Sequence, residues 1–340
     1  MKGLSSVLLL LSVACGGDPV SAPVAENTPS AVKKTTLTVY SGRGESLVGE
    51  LFKRVPDDAP FRVEVQYGKT AEMVTRFLSE GDQSPADIIF AQDSGHLGAL
   101  AGRDVLADLP KPILDTVDPA FRSETGKWVG TSGRLRVLVY DSSKLGPDDL
   151  PKSLEELSES KWKGKLGWAP TNGSLHAHVS ALRHAWGDEK TREWLQAVQA
   201  NAPTKYPKNS PQVAAANDGA IEMGWVNHYY LHRLDKTGRT AKNWSFPNAG
   251  DPGNVLMVAG VGIRKNSPHR AAAESFIEWL LSETSQTYFA QEGFEYPTRP
   301  GVSTHADVTP LKPGQLATVK QSSLADLGPT RTMLTELGLL

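Results

Sequence analysis

The first part of the chain alternates β-strand and α-helix patterns, and this order constrains the fold more than any other feature. Residues 37–40 and 61–67 show the alternating apolar pattern of strands, with helical apolar spacing over 45–54 between them. A helical pattern over 71–78 then leads into 86–91, a nearly continuous apolar run typical of a buried parallel strand. This order predicts an open, doubly wound α/β sheet, in which ligands bind beyond the carboxyl ends of the strands.

The rest of the sequence is long enough for a second lobe. About 305 residues follow the N-terminal region, which suits two lobes or one large α/β domain. A hydrophobic content of 39% is sufficient for ordinary cores. The chain has neither a basic tract nor interleaved aromatic and basic residues, which argues against nucleic acid as a partner.

The N-terminus has the features of a secretion signal. Lys2 precedes a short apolar stretch, and small residues lead to Cys15, the single cysteine of the chain. The apolar run is too short to span a bilayer, which needs about 20 residues. These features predict a lipoprotein signal peptide over residues 1–14, lipid attachment at Cys15 and a flexible tether over residues 15–34. A single cysteine also excludes an intramolecular disulfide and a cysteine metal cluster.

Two adjacent tyrosines, Tyr229 and Tyr230, form the first candidate site. They follow Asn227, a good N-cap residue, and would therefore lie in the first turn of a helix. The helix dipole favours negative charge there, so phenols at this position could ionise if a cation were bound. The alternative is that both are half-buried tyrosines with satisfied hydroxyl groups.

The turn over residues 171–174 is a second candidate, because it leads from a short strand into a helical pattern beginning at Leu175. Free backbone N–H groups at the start of such a helix can bind anions. Ser, Thr and Asn are also common at helix starts that bind nothing, so the turn by itself leaves both interpretations open.

Taken together, several stretches resemble the bacterial periplasmic ferric-ion-binding proteins, the solute receptors of ABC-type iron importers. The stretches are Leu37 to Arg43, Ser84 to Asp87, Arg134 to Tyr140, Val226 to Tyr230, and Glu295-Tyr296-Pro297. The resemblance runs over essentially the whole mature chain, and the Tyr-Tyr pair after an Asn is its most specific part. It implies an α/β, two-lobed fold of the type II periplasmic binding protein class with two hinge strands.

The resemblance also implies how the chain is divided and where it works. Residues 35–134 and 265–300 would form lobe 1, residues 135–264 lobe 2 with the hinge strands, and residues 301–340 a C-terminal helical segment. The protein would be a monomer in the periplasm or at the cell surface. It would be attached to the membrane by its N-terminal lipid, and its partner would be an ABC permease.

The same resemblance implies a metal site. In the family the tyrosine pair binds Fe(III), and a third tyrosine lies at the end of the strand that matches residues 135–140. Carried over, the iron ligands are Tyr140, Tyr229 and Tyr230, and a synergistic anion, carbonate or phosphate, fills the remaining positions. The implied anion cradle consists of Arg43, Thr171, Asn172, Gly173 and Ser174. Fe(III) prefers oxygen donors, and at neutral pH only a highly charged cation holds phenolate, whose parent phenol has a pKa of about 10.

The first lobe departs from the family pattern. Many relatives take a His, Tyr or Glu ligand from this lobe, whereas here Gly44 and Glu45 follow Arg43. Gln92 and Asp93 occupy the region where one subgroup has a Glu ligand. The first-lobe contributors are therefore Glu45, Gln92 and Asp93, or no side chain at all, in which case the anion matters more.

Two other functions remain open. The chain could be an ABC receptor for another small solute, such as a phosphonate, a phosphate ester or a polyamine. It could also be a metal-dependent hydrolase, because His176 with His178, and His228 with His232, are spaced for metal ligation. Neither a His-Glu-x-x-His nor a Gly-x-Ser-x-Gly pattern accompanies them, which favours exposed histidines and a protein that is not an enzyme.

Overall fold

The computed structural model describes residues 34–325 and 327–340. The predicted signal peptide, Cys15 and nearly all of the predicted tether lie outside these ranges. The strands are β1 (Thr35–Ser41), β2 (Phe61–Tyr67), β3 (Ile88–Ala91), β4 (Val129–Asp141), β5 (Leu166–Trp168), β6 (Thr204–Lys205), β7 (Met223–Asn227), β8 (Ala241–Trp244), β9 (Leu256–Ile263) and β10 (Tyr296–Pro297). The α-helices are α1 (Glu45–Phe52), α2 (Thr70–Glu80), α3 (Ser94–Gly102), α4 (Lys111–Leu114), α5 (Gly173–Trp186), α6 (Asp188–Ala200), α7 (Asn209–Asn217), α8 (Arg270–Leu280), α9 (Glu283–Gln291) and α10 (Leu327–Glu336).

The strands follow the order β2-β1-β3-β9-β4-β7-β5-β6. β1 pairs in parallel with both β2 and β3, as the alternation of strand and helix patterns predicts. β3 is buried along its whole length, which agrees with its continuous apolar sequence. At the other end of the sheet, β5 pairs in parallel with both β6 and β7, as β1 does with β2 and β3.

β4 joins the two halves of the sheet. It is antiparallel to β9 from Val129 to Leu135 and antiparallel to β7 from Arg136 to Tyr140. β8 pairs with the same strand further along, so the segment from β8 to β9 crosses between the halves together with β4. These two crossing segments are the elements about which two lobes can hinge, whereas the residue boundaries of the lobes stay a prediction.

The two largest apolar cores of the described residues meet at this crossing, because β4 contributes Val137 and Val139 to one and Leu138 and Tyr140 to the other. The larger packs β1, β3 and β9 against α1, α8 and α9, with an aromatic group in which the Phe61 and Phe276 rings meet edge to face at 5.6 Å. The second is centred on Trp168, Trp194 and Trp225. In each core, aromatic rings supply much of the buried apolar area that stabilises the fold.

The C-terminal region is less helical than the sequence suggested. Between residues 301 and 340, α10 is the one α-helix in the described part, and the rest contains two short 3₁₀ turns. Pro310, Pro313 and Gly314 interrupt the helical pattern there. α10 packs Met333 and Leu334 into the second core. Among the residues that the structure describes, no helix is long and apolar enough to cross a membrane.

Candidate metal and anion site

The two tyrosines lie in a short 3₁₀ helix, His228–Arg233, that directly follows β7. Asn227 occupies the N-cap position, but its side chain makes no capping hydrogen bond. Its Oδ1 instead accepts a hydrogen bond of 3.0 Å from Nη1 of Arg136. The turn is therefore positioned by the neighbouring strand β4 rather than by its own cap.

The aromatic rings of the pair are stacked, with 4.3 Å between their centroids and 28° between their planes. Tyr229 is 2% exposed, and Tyr230 is half-buried. Burial raises the pKa of Tyr229, and the charge of Tyr230 and a hydrogen bond to it also raise this pKa, whereas the charge of Arg134 lowers it. The two phenol rings thus lie against each other, and the buried Tyr229 hydroxyl stays protonated unless a cation binds it.

Two arginines on β4, Arg134 and Arg136, border the tyrosine pair. They are two residues apart on a strand and so project from the same face of it. Both are buried, at 2% and 0% exposure. Neither forms an ion pair with a carboxylate of any described residue.

Arg136 is fixed by neutral partners. Its Nη1 donates to Oγ of Ser174 at 3.2 Å and to Asn227, and its Nη2 donates to the backbone oxygen of Trp225 at 2.9 Å. Burial lowers the pKa of Arg136 to about 9, whereas charge on Tyr230 and Tyr229 would raise it. Arg136 is consequently a desolvated cation without a counter-charge among the residues that the structure describes, and such a group favours a bound anion.

The turn at residues 171–174 lies next to Arg136. Asn172 caps α5, because its Oδ1 accepts from the backbone N–H of Ser174 at 2.9 Å and from its hydroxyl at 2.6 Å. The Ser174 hydroxyl in turn accepts from Arg136 and from Nδ2 of Asn209 at 3.2 Å. Thr171 and Gly173 are exposed. The structure thus brings the predicted anion-binding turn and the tyrosine pair together, with Arg136 between them.

Gln92 and Asp93 reach the same region from the first half of the molecule. The backbone oxygen of Gln92 accepts a hydrogen bond from Arg134, and its Oε1 is buried without a partner among the described residues. Asp93 caps α3 and bonds the ring of His96 at 2.8 Å. Burial opposes the charge of Asp93, but His96 and Arg134 outweigh it and hold the pKa of Asp93 below its ordinary value.

Glu45 lies apart from this group. It is exposed in the first turn of α1. Its charge acts on Tyr67, whose pKa is raised by burial and then by Glu45. Of the three predicted first-lobe contributors, the structure therefore places Gln92 and Asp93 beside Arg134, but not Glu45.

The structure does not bring Tyr140, the predicted third ligand, to the tyrosine pair. Strand register places Tyr140 opposite Met223, at the start of β7, whereas the pair follows Asn227 at its end, opposite Arg136. Four residues of strand separate Arg136 from Tyr140, which is roughly 13 Å at about 3.3 Å per residue. Tyr140 packs in the second core, and because β4 and β7 are paired, no hinge motion brings it to the tyrosine pair.

The prediction that Arg43 cradles the anion also needs correction. Its guanidinium forms a two-point ion pair with Glu295, with distances of 3.0 and 2.8 Å, and Nη1 also donates to Oγ of Ser132 at 3.0 Å. Both side chains are at most 2% exposed. The rings of Phe90 and Phe289 lie 5.7 and 5.5 Å from the guanidinium carbon. Glu295 therefore already neutralises Arg43, which holds the fold rather than a ligand.

The histidine pairs do not form a metal centre. His228 uses both ring nitrogens: Nδ1 accepts from the backbone N–H of Leu135 at 3.1 Å, and Nε2 donates to the backbone oxygen of Phe294 at 2.8 Å. His176 and His178 bond to two different backbone oxygens, those of Pro170 and Pro252. Among the described residues, no group of three or more His, Cys, Asp or Glu side chains could hold a metal ion.

Arg134 and Arg136 are the site residues that the sequence interpretation missed. The available signal was two arginines with alternating spacing inside an otherwise apolar strand, Leu-Arg-Val-Leu-Val-Tyr preceded by Arg. A buried strand with two charges on one face implies that this face lines a polar site.

The sequence is similar to a known protein family and to several characterised proteins. A family model described as bacterial extracellular solute-binding protein matches residues 50–314. The Fe(3+)-binding periplasmic protein of Serratia marcescens is 31% identical over 310 residues, which are 89% of this chain and 90% of that protein. Iron uptake protein A1 of Synechocystis sp. is 31% identical over 333 residues, which are 95% of this chain and 90% of that protein.

Solved structures give the same result for the fold. The crystal structure of iron-bound HitA from Pseudomonas aeruginosa aligns with a TM-score of 0.80 at 28% identity and covers 89% of this chain and 99% of that chain. The expected two-lobed α/β fold of the type II class is thereby confirmed.

Proposed function

This chain belongs to the family of bacterial extracellular solute-binding proteins, and we propose that it binds Fe(III) outside the cytoplasm and delivers it to an ABC importer. The relatives at 31% identity are named for Fe(3+) binding and for iron uptake. No catalytic step belongs to this proposal. Delivery requires a permease as partner, and lipid attachment at Cys15 would keep the receptor at the membrane, in the periplasm or at the cell surface.

The observation that carries the proposal is the stacked pair Tyr229 and Tyr230 beside two buried arginines that have no carboxylate partner among the described residues. Phenolate oxygens are hard donors that suit Fe(III), and iron supplies the positive charge that favours ionisation of the buried Tyr229 phenol. The stacked geometry presents two oxygens from adjacent residues of one turn. Iron binding should release protons and should weaken in acid.

A synergistic anion such as carbonate or phosphate would complete the metal's coordination. Arg134 and Arg136 supply positive charge, and Asn172 with Ser174 lies at the start of α5, where the helix dipole favours a negative charge. The anion would bridge the iron and this group of donors. With two phenolates instead of three, the anion carries a larger share of the neutralising charge.

The first lobe would complete the site when the hinge closes. Gln92 and Asp93 lie beside Arg134 and can present oxygen donors towards the tyrosine pair. Closure about the β4 and β8–β9 crossings is the motion expected of this fold. Small-angle scattering with and without iron tests it, and a radius of gyration that does not fall on loading would contradict closure.

A single spectroscopic experiment tests the metal site. Iron-stripped protein is mixed with ferric citrate and bicarbonate, and a visible tyrosinate-to-iron charge-transfer band is expected. Tyr229→Phe and Tyr230→Phe should each abolish or shift the band, because each removes one phenolate. If the band is the same in both variants as in the unaltered protein, the ligand assignment is wrong.

One observation favours a second function. Arg134 and Arg136 with the Asn172–Ser174 turn would also suit the head group of a phosphonate or a phosphate ester. Calorimetric titration of iron-free protein with methylphosphonate separates the two functions. Tight binding without metal, together with uptake of iron that produces no colour, would support the phosphonate receptor. Two unpaired buried cations disfavour a polyamine.

A further inference from the structure

A cavity of about 510 Å³ lies behind the tyrosine turn, on the opposite face of β4. Leu135 and Val137 line it, and because side chains alternate along a strand, they project away from the face that carries Arg134 and Arg136. In the 3₁₀ turn, His228 and His232 border the cavity, whereas Tyr229 and Tyr230 do not line it. The volume is within the range of small-molecule binding sites, about 300–1,000 Å³.

The floor of this cavity is apolar and aromatic. Leu231, Trp244, Tyr296 and Leu316 line it together with the two β4 residues. His228 stacks on the Tyr296 ring with 4.6 Å between centroids, which fixes one wall. A ligand with a flat apolar body would bury apolar surface here.

The rim of the cavity carries an excess of positive charge. Arg239, Lys242 and Lys312 line it, and none of the three forms an ion pair with a carboxylate of a described residue. The one carboxylate among the lining residues, that of Asp307, is already paired with Lys236. The charge that the cavity offers to a ligand is therefore positive.

Polar atoms in the wall have no partner either. His232 is 8% exposed, and its Nδ1 has no hydrogen-bond partner among the described residues. Oδ1 of Asn243 is in the same condition, although its amide nitrogen donates to the backbone oxygen of His228 at 2.9 Å. Buried polar atoms are nearly always satisfied by protein, water or ligand, so each of these two atoms can form a hydrogen bond with a molecule in the cavity.

We propose that this cavity binds a small organic anion, with an apolar or aromatic body on the floor and a carboxylate or sulfonate group at the Arg239, Lys242 and Lys312 rim. The ligand contacts the same short turn that carries Tyr229 and Tyr230, from its other side. Occupancy therefore changes the affinity for iron, a coupling that rests on the proposed metal site, whereas binding of the anion itself does not.

The test uses iron-stripped full-length protein and calorimetric titration with benzoate. Benzamide, which has the same shape without the charge, should bind at least about tenfold more weakly. The exposed pair Lys242→Ala/Lys312→Ala should weaken benzoate binding by about tenfold, whereas the matched pair Lys34→Ala/Lys163→Ala, which removes the same charge elsewhere on the surface, should leave it unchanged. Ser245→Trp, which fills the cavity without removing charge, should abolish binding.

Each result decides the proposal. No heat with benzoate at about 10 mM, or equal binding of benzoate and benzamide, would overturn the anion site. Unchanged binding in Ser245→Trp would place the ligand elsewhere and also overturn it. The coupling is measured as the change in iron affinity that benzoate causes in the unaltered protein. The same measurement on Ser245→Trp is the control. Any chelation of iron by benzoate in solution affects both proteins equally and therefore cancels in the comparison. Failure of iron binding would leave the benzoate result intact, so the two proposals fail separately.

Discussion

Arg43 and Arg136 are both fully buried guanidinium groups, yet they differ in what neutralises them. Arg43 has a two-point ion pair with Glu295, reached across 252 positions of sequence. Arg136 has hydroxyl, amide and backbone partners but no carboxylate among the described residues. A buried cation with its own carboxylate belongs to the scaffold, whereas a buried cation without one retains charge for a ligand.

The partner of Glu295 bears on the proposed position of the anion site. Glu295 is close enough to Arg134 to have its pKa lowered by it, but forms its ion pair with Arg43. Arg134 and Arg136 therefore supply two positive charges beside the tyrosine pair. The difference between the two kinds of arginine yields four predictions, which decrease in expected size.

Glu295→Gln should reduce the free energy of unfolding by about 3–5 kcal/mol, because it leaves the buried charge of Arg43 without a partner. Denaturant titration measures this change. Glu292→Gln is the matched control, since Glu292 pairs with Arg54 while 48% exposed and such pairs contribute less than about 1 kcal/mol. Equal effects of the two variants would mean that the buried ion pair of Arg43 and Glu295 contributes no more to stability than an exposed one.

Arg136→Gln should act on binding rather than on stability. Loss of the charge should weaken iron binding in bicarbonate by about 10–100-fold, as changes of partners around a metal site do. The amide can still bond Asn227 or Ser174, so the unfolding free energy should change by less than about 1 kcal/mol. Competition against citrate measures affinity. If Arg136→Gln were destabilised but bound iron normally, Arg136 would have the structural role that is assigned here to Arg43.

Acid should weaken the fold through Glu295. Burial disfavours the charged carboxylate, but Arg43, its hydrogen bonds and Arg134 outweigh burial, so the pKa of Glu295 is lowered on folding. The stability from this group is present above the unfolded pKa of about 4.3 and is lost as pH falls through the folded pKa, at about 1.4 kcal/mol for each unit of lowering.

The measurement for this third prediction is the difference in unfolding free energy between the unaltered protein and Glu295→Gln at several pH values. The difference should be constant above about pH 5 and should shrink below it, because the variant lacks the titrating group. A difference that grows in acid would show that the carboxylate is not ionised in the folded state.

Tyr140→Phe should have the smallest effect. Tyr140 lies in the second core, far from the pair along β4. The charge-transfer band and iron affinity of this variant should match those of the unaltered protein. Loss of the band would restore the three-tyrosine site implied by the family resemblance and would require a different strand register.

The overall fold and the tyrosine pair could be predicted because they depend on local patterns. Strand and helix periodicity revealed the parallel β1–β3 arrangement, and the resemblance to ferric-ion-binding proteins is confirmed by the relatives. The adjacent tyrosines needed no long-range information, since they share one turn. The identity of the anion and the lipid attachment of Cys15 stay predictions.

The parts that failed depend on contacts between distant residues. Tyr140 was misplaced because the pairing of β4 with β7 decides which end of the strand meets the pair. Arg43 was misassigned because its partner Glu295 comes from the far end of the chain. A carboxylate at that distance leaves no local pattern, so the sequence alone cannot say which arginine is already neutralised.

The two hydrogen bonds of the His228 ring have a consequence for the proposed iron site. Its ring is bonded both to β4 and to the backbone of Phe294, so the turn bearing the two phenols cannot swing without breaking both bonds. Under the proposed function, the two phenols would be oriented before iron arrives, and little ordering entropy would be lost on binding. Release would then depend on opening of the lobes and loss of the anion rather than on side-chain rotation, so the importer would set the lifetime of the proposed iron complex.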